Sequence, residues 1–258
     1  MLSAEPLAVL RQVELLAAIA VLVGTSELLV IRAHWGERGT WRWSALQGEL
    51  RAAAFLLDTG PFTLLLIARL AAAAVLLWQP SVAAVFVAWI STLLVSVRFR
   101  GPYNGGSDHM LAIVLTALLV GRVGEAHPMV VKGALAWVGV QAILSYVVAG
   151  IAKLRYAAWR DGTALPVLVA IPAYGVPGST RTLLQRPAVA RLAAWGVLAF
   201  ECAFPAVLLG PGVAWVGIAL AFAFHLANAW TFGLNRFLLT WAATWPAVLY
   251  IAGLTGRA

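Results

Sequence analysis

Residues 145–162, SYVVAGIAKLRYAAWRDG, carry an apolar helix into a lysine and then out of the membrane through Arg155, Trp159 and Arg160. Lys153 is one of two lysines in a chain of 258 residues. A lysine in hydrocarbon is expensive and usually has a reason to be there. Helical spacing puts Tyr146, Ala149, Gly150 and Lys153 on one face. The small pair lets a second helix come close. Two readings of the amine follow: it is enclosed by protein, or it snorkels from a helix end to the headgroups.

Working outward, the same stretch closes an apolar run that begins at Met129, and such runs recur along the chain. Hydrophobic residues make up 62% of the sequence and charged residues 11%, against roughly 25% charged in a soluble domain. Mean hydropathy is +0.90. The runs are long and continuous, without the period-two alternation of a β-barrel. The class is therefore all-α, a polytopic integral membrane bundle, expected as a single transmembrane domain over residues 1–258. Apolar runs bounded by breaker residues give eight expected spans: 13–31, 62–78, 82–97, 108–122, 129–154, 192–209, 213–232 and 237–251. The first does not read as a cleavable signal, having no strongly basic start and no small-residue cleavage site.

Two long connections separate these spans. In residues 41–60, Leu46, Leu50, Ala53 and Leu57 form a helical stripe, with Arg42, Glu49 and Arg51 largely off it and Trp41 and Trp43 as interface anchors. Residues 155–191 are interrupted by Pro166, Pro172, Pro177 and Pro187, which makes VLVAIPAYGVPG a short interfacial or re-entrant segment at most. Residues 98–110, RFRGPYNGGSDHM, form the richest turn. Ser107 or Asp108 is the expected cap of the following helix, which places His109 in its first turn. Several charged residues sit inside spans, Glu14 and Glu27 in the first of them. Arg69 calls for an acidic partner, with Glu14, Glu27 and Glu201 as the candidates, and Glu201 at mid-span must be protonated or paired. His225 and Asn228 lie i, i+3 on one face.

Eight spans fix which loops share a side. Both long connections, the 98–110 turn and the turn at Asn235 and Arg236 open on one face. Asp108 and His109 begin a helix there, Lys153 ends one, and His225 lies about 10 Å inward along its helix. That face collects Arg32, Arg38, Arg42, Arg51, Arg98, Arg100, Arg155, Arg160, Arg181, Arg186, Arg191 and Arg236, against Arg11, Arg122, Lys132 and Arg257 opposite. The positive-inside rule would make it cytoplasmic. The net charge of +8 is accordingly a matter of loops and anionic lipid, and there is no basic–aromatic nucleic-acid motif. A single cysteine, Cys202, excludes a disulfide framework and a Cys-x-x-Cys redox pair. The histidines lie on separate elements, without the close ligand pair of a zinc site.

At this point the residues resemble a family. Tyr146-Val147-Val148-Ala149-Gly150-Ile151-Ala152-Lys153-Leu154, followed by Trp159-Arg160-Asp161-Gly162, resembles the Y-x-x-A-G-x-x-K-L…W-x-x-G motif of vitamin K-dependent γ-glutamyl carboxylases and their bacterial HTTM-domain relatives. FHLANAWTFGLNRF, residues 224–237, resembles that family's F-H-x-x-N…F-x-x-x-x-F segment. The Asn104-containing turn before His109 resembles, more weakly, its segment ahead of a membrane helix.

The resemblance implies a membrane enzyme that oxidises a reduced quinone, vitamin K hydroquinone or menaquinol, with O2. The strong base so formed abstracts a γ-proton from glutamate, and the carbanion takes up CO2. It implies Lys153 as the base toward the hydroquinone, with His109 and His225 as further catalytic residues. It extends to Tyr146, Gly150, Asn228 and Trp159 around the cofactor, and to Asn104, Asp108 and Arg236 around a glutamate-containing peptide or protein. On this sequence the protein is expected to do without the family's long extramembrane domain, and the family's lumenal chemistry conflicts with the arginine count. The alternative class is a non-enzymatic multi-pass partner in the cell membrane that helps mature or export a secreted peptide, as SdpB-type members of the wider family are thought to do.

Overall fold

Proline placement and turn chemistry divide the chain into helices. The computed structural model describes residues 5–46, 54–99 and 106–255. Every regular element among the described residues is helical. The principal ones are α1 (Pro6–Val30), α2 (Thr59–Trp78), α3 (Val82–Arg98), α4 (Gly106–Val123), α5 (Pro128–Arg155), α6 (Pro187–Ala203), α7 (Pro211–Phe232), α8 (Asn235–Ala242) and α9 (Trp245–Thr255). Four of them start on a proline, where the missing N–H would have had no helical partner. Between α2 and α3, Gln79 is extended ahead of Pro80. Ser81 then restarts the helix, its hydroxyl accepting from the Ala84 amide at 3.2 Å.

Seven segments are long and apolar enough to cross a membrane: α1, α2, α4, α5, Pro187–Leu209, α7 and Asn235–Thr255. The remaining expected span is α3, a shorter apolar helix of 17 residues. The chain is thus an all-α, multi-pass helical protein, as its composition requires. Several boundaries differ from the sequence reading. The first helix starts at Pro6 rather than Val13, because helix propensity continues past the apolar window. Ser107 and Asp108 lie inside the first turn of α4, which opens at Gly106, rather than capping it. The segment Pro187–Leu209 ends as a 3-10 turn, Phe204–Leu209, containing Pro205. The last span is broken at residues 243–244, ahead of Pro246.

The helices form two compact units, Met1–Val138 with Leu239–Pro246, and Gly139–Leu238 with Ala247–Ala258. In the first, α1 packs on α2, α2 on α3, α3 on α4 and α4 back on α1. Polar ties hold this cycle at three levels. At one end the fully buried Glu14 receives Arg122 Nη2 and Arg11 Nη1, each at 2.6 Å, and Arg11 also donates to the Leu76 carbonyl at 2.6 Å. In the middle, Arg69 donates to the hydroxyls of Thr25 (2.9 Å), Ser91 (3.3 Å) and Thr92 (2.5 Å). Two of the acids considered for it are held by other cations, Glu14 by arginines and Glu201 by Lys153.

At the other end Arg98 is fully buried, donating to the Trp35 carbonyl at 2.9 Å and the Trp41 carbonyl at 3.3 Å. Its guanidinium carbon lies 5.1 to 5.7 Å from the rings of Phe62, Phe99 and Trp43. Trp43, expected as an interface anchor, is instead buried in the cluster with Leu28, Trp35, Leu57 and Phe62. Its ring packs within reach of the Arg98 guanidinium, 5.7 Å from ring centre to guanidinium carbon. The stretch expected as one amphipathic helix shows short helices at Trp43–Leu46 and Ala54–Leu57. Glu49, Leu50, Arg51 and Ala53 lie outside the described residues.

In the second unit, α6, the 3-10 turn and α7 pack in sequence. Short helices at Ala157–Arg160, Ala164–Ala170, Pro172–Tyr174 and Gly178–Leu184 occupy the long connection, three of them against α6. The irregular path expected from its prolines is what the structure has. The C-terminal half of α5, from Gly139 on, completes this unit and carries the candidate site.

Candidate functional site

Lys153 does not reach outward. In an α-helix the Cα–Cβ bond tilts toward the N-terminus, so a lysine in the last turn of α5 leans back toward the helix middle. There Nζ donates to both carboxylate oxygens of Glu201, at 2.6 and 2.7 Å. Glu201 lies ten residues beyond Arg191 on α6, about 15 Å along the helix. The Lys153 side chain is 24% exposed and that of Glu201 3%. The amine also lies over the indole of Trp159, 5.5 Å from ring centre to Nζ. Of the two readings of Lys153, the enclosed one holds.

The close approach that this pair needs comes from Gly150, one turn earlier. A Cβ there would sit 2.8 Å from Cys202 Sγ and 3.0 Å from the Cys202 amide nitrogen. Gly150 therefore spends its face on α6. The expected stripe is otherwise intact: Tyr146 and Gly150 are buried and Ala149 and Lys153 partly so, whereas Val148, Ile151 and Leu154 are exposed.

Two turns deeper on the same face, Tyr146 Oη lies 2.8 Å from His225 Nε2. The phenol donates when the ring proton sits on Nδ1 and accepts when it sits on Nε2. Both residues are 2% exposed. The Tyr146 ring packs on Phe204 (4.1 Å between centres) and edge-on to Phe200 (5.3 Å), and Phe224 lies edge-on to His225 at 5.1 Å. Phe200 lies next to Glu201 on α6 and Phe204 opens the 3-10 turn that follows, so these two elements together present the carboxylate and both rings toward α5. The same two rings wall an apolar cleft of about 180 Å³, which Val207, Val213, Gly217 and Leu220 continue.

The other expected site residues are placed as follows. Trp159 is partly buried beside the amine, and Asn228 is partly buried one turn beyond His225. Arg236 is partly buried in the first turn of α8. His109 and Asp108 belong to the first unit. There Asp108 is buried at 3% exposure while the His109 ring is exposed. Asn104 lies outside the described residues.

The residue that the sequence reading did not assign to the site is Glu201, offered there only as a partner for Arg69. A signal for it existed: it is the only Asp or Glu after Asp161, so a mid-span carboxylate and a late-span lysine had few other partners to choose from. Chemically, the second unit holds an ammonium–carboxylate pair with a buried carboxylate and a partly exposed amine, and a buried phenol–imidazole pair, on one helix face with an aromatic wall beside them. The first pair can take up a proton on the carboxylate; the second can hold or pass one between oxygen and nitrogen. Comparison with protein-family models, with curated proteins and with solved structures finds no match to this chain.

Proposed function

We propose that this protein is a membrane-embedded enzyme acting on a reduced quinone, of the vitamin K-dependent carboxylase type, with Lys153 and Glu201 as its proton-accepting pair. The observation that carries the reading is the position of Lys153. The lysine of the Y-x-x-A-G-x-x-K-L motif turns inward to a buried carboxylate and lies two turns from Tyr146 and His225. The donor set suits a hydroquinone: hydrogen-bonding groups for oxygens at one end, and Phe200 and Phe204 for an aromatic ring and an apolar tail. Bound there, a reduced quinone would supply ionisable phenol groups and the electrons for O2. In the neutral form of the pair, with the shared proton on Glu201, the Lys153 amine would accept a proton from a phenolic oxygen, Trp159 would shield that amine from water, and Tyr146 and His225 would orient a second oxygen. Use of CO2 and of a glutamate-containing peptide belongs to this reading through the family resemblance alone.

The second reading is a non-enzymatic membrane partner for a secreted peptide. Its support is that both oxygens of Glu201 are spent on one amine, a geometry suited to clamping α5 to α6. Lys153→Arg separates the two. Arginine keeps the charge and the pairing but cannot serve as a proton acceptor. The test is oxygen uptake by purified protein supplied with reduced menaquinone, along with extraction of any co-purified quinone. The expected result is turnover in the wild type and loss of at least about a hundredfold in Lys153→Arg, the scale of general-base catalysis. Retained turnover in this variant would sink the assignment of Lys153. No uptake by the wild type, with a peptide co-purifying, would favour the second reading.

A further inference from the structure

The connection between α5 and α6 has a composition unlike the rest of the second unit. From Arg155 to Arg191 it carries five arginines, Arg155, Arg160, Arg181, Arg186 and Arg191, and one acid, Asp161. That acid is engaged locally: its carboxylate accepts from the Thr163 amide at 2.9 Å and the Thr163 hydroxyl at 2.7 Å. No ion pair within 4.0 Å involves any of the five arginines among the described residues.

The fold brings the segments that carry these arginines together at one end of the unit. Arg191 Nε donates to the Asp161 carbonyl at 3.1 Å, and Trp195 Nε1 donates to the Arg160 carbonyl at 3.0 Å. Arg160 Nη1 caps the end of α5 on the Leu154 carbonyl at 2.7 Å. These bonds bring the exit of α5 and the entry of α6 together, while Gly178–Leu184 also packs on α6 with Arg181 and, just beyond it, Arg186. Large apolar side chains are exposed among the arginines, including Tyr156 (68%), Leu183 (47%) and Leu192 (76%).

We infer that this platform binds the phosphate groups of anionic phospholipids. Arginine forks suit phosphate oxygens, and each basic side chain near an anionic leaflet contributes to retention. The exposed apolar side chains decide between macromolecular partners. At the boundary of a bilayer they enter the headgroup and upper acyl region, whereas a water-borne acidic peptide would leave them uncovered. The inference is independent of any quinone chemistry.

The test uses the full chain in nanodiscs of phosphatidylcholine with and without phosphatidylglycerol, followed by native mass spectrometry of the lipids that remain bound. The wild type is expected to retain phosphatidylglycerol about tenfold over its share of the mixture, with the preference falling as salt rises. Replacing Arg155, Arg160, Arg186 and Arg191 by glutamine should abolish the preference, and Lys132→Gln in the first unit should leave it intact. Since Arg160 and Arg191 also hold backbone carbonyls, the double variant Arg155→Gln/Arg186→Gln is measured too and should lower the preference several-fold. Equal retention of the two lipids by the wild type overturns the inference, as does a preference insensitive to salt and to the double variant. Capture of a glutamate-rich peptide by these arginines, without lipid preference, overturns it in favour of a peptide partner.

Discussion

The Lys153–Glu201 pair allows a thermodynamic test that needs no substrate. Lys153→Met removes the ammonium and leaves a carboxylate with 3% exposure facing an apolar side chain. Breaking a buried ion pair from one side costs about 3–5 kcal/mol. The carboxyl can escape by taking up a proton, which for a group of ordinary pKa costs about 4 kcal/mol at pH 7 and so sets a ceiling. The partial exposure of Lys153 puts the expected loss nearer 3 kcal/mol. Glu201→Gln should cost less, about 1 kcal/mol, because the amide oxygen still accepts from Nζ and the lysine can swing outward. In the double variant neither charge remains, and the loss should be about 1–2 kcal/mol. The coupling energy from this cycle is then about 2–3 kcal/mol. Reversible unfolding in mixed detergent, followed by tryptophan fluorescence, measures all four proteins. Additivity within about 0.5 kcal/mol would refute the argument, since it would mean that the two groups do not act on each other.

Other consequences follow from single contacts. Gly150→Ala drives a methyl group into Cys202 and should destabilise by about 1–3 kcal/mol, with a matching drop in the fluorescence midpoint. If the variant is as stable as wild type, α5 and α6 are not in the contact described. In the first unit, Arg122→Ala leaves the fully buried Glu14 with Arg11 alone. A loss of about 2–4 kcal/mol is expected, and Glu14→Gln in the same background should recover part of it; a variant of unchanged stability refutes the pairing. Outside the membrane, the two hydrogen bonds from Thr163, with Arg191 and Arg160 nearby, hold the Asp161 carboxyl below its usual range. A depressed folded-state pKa gives a contribution present above the unfolded value, about 3.9, and lost as pH falls through the folded one. The Thr163 amide exchange rate, taken relative to its intrinsic rate at the same pH, should therefore show protection at neutral pH that is lost only as the pH falls below the ordinary carboxylate range, and Asp161→Asn should weaken that protection at neutral pH.

The sequence alone determined the class, the number of apolar segments and the face of α5 that matters. Hydropathy, proline placement and the 3.6-residue period are local properties, and they survive in the structure almost unaltered: Tyr146, Gly150 and Lys153 do share one inward face. It also marked Glu201 as a carboxylate needing a partner. The choice of that partner belonged to the tertiary structure. Glu201 could meet Lys153 or Arg69 depending on how helices distant in sequence are rotated and how closely they approach, and no periodicity encodes either quantity. The same holds for Trp43, whose composition suits an interface but whose position under Arg98 is interior, and for His225, whose phenol partner is 79 residues away. Lys153 shows the division most clearly. Its presence in a span could be read from one stretch, but whether it snorkels or pairs was decided by a glycine that admits α6 and by the carboxylate that α6 brings with it.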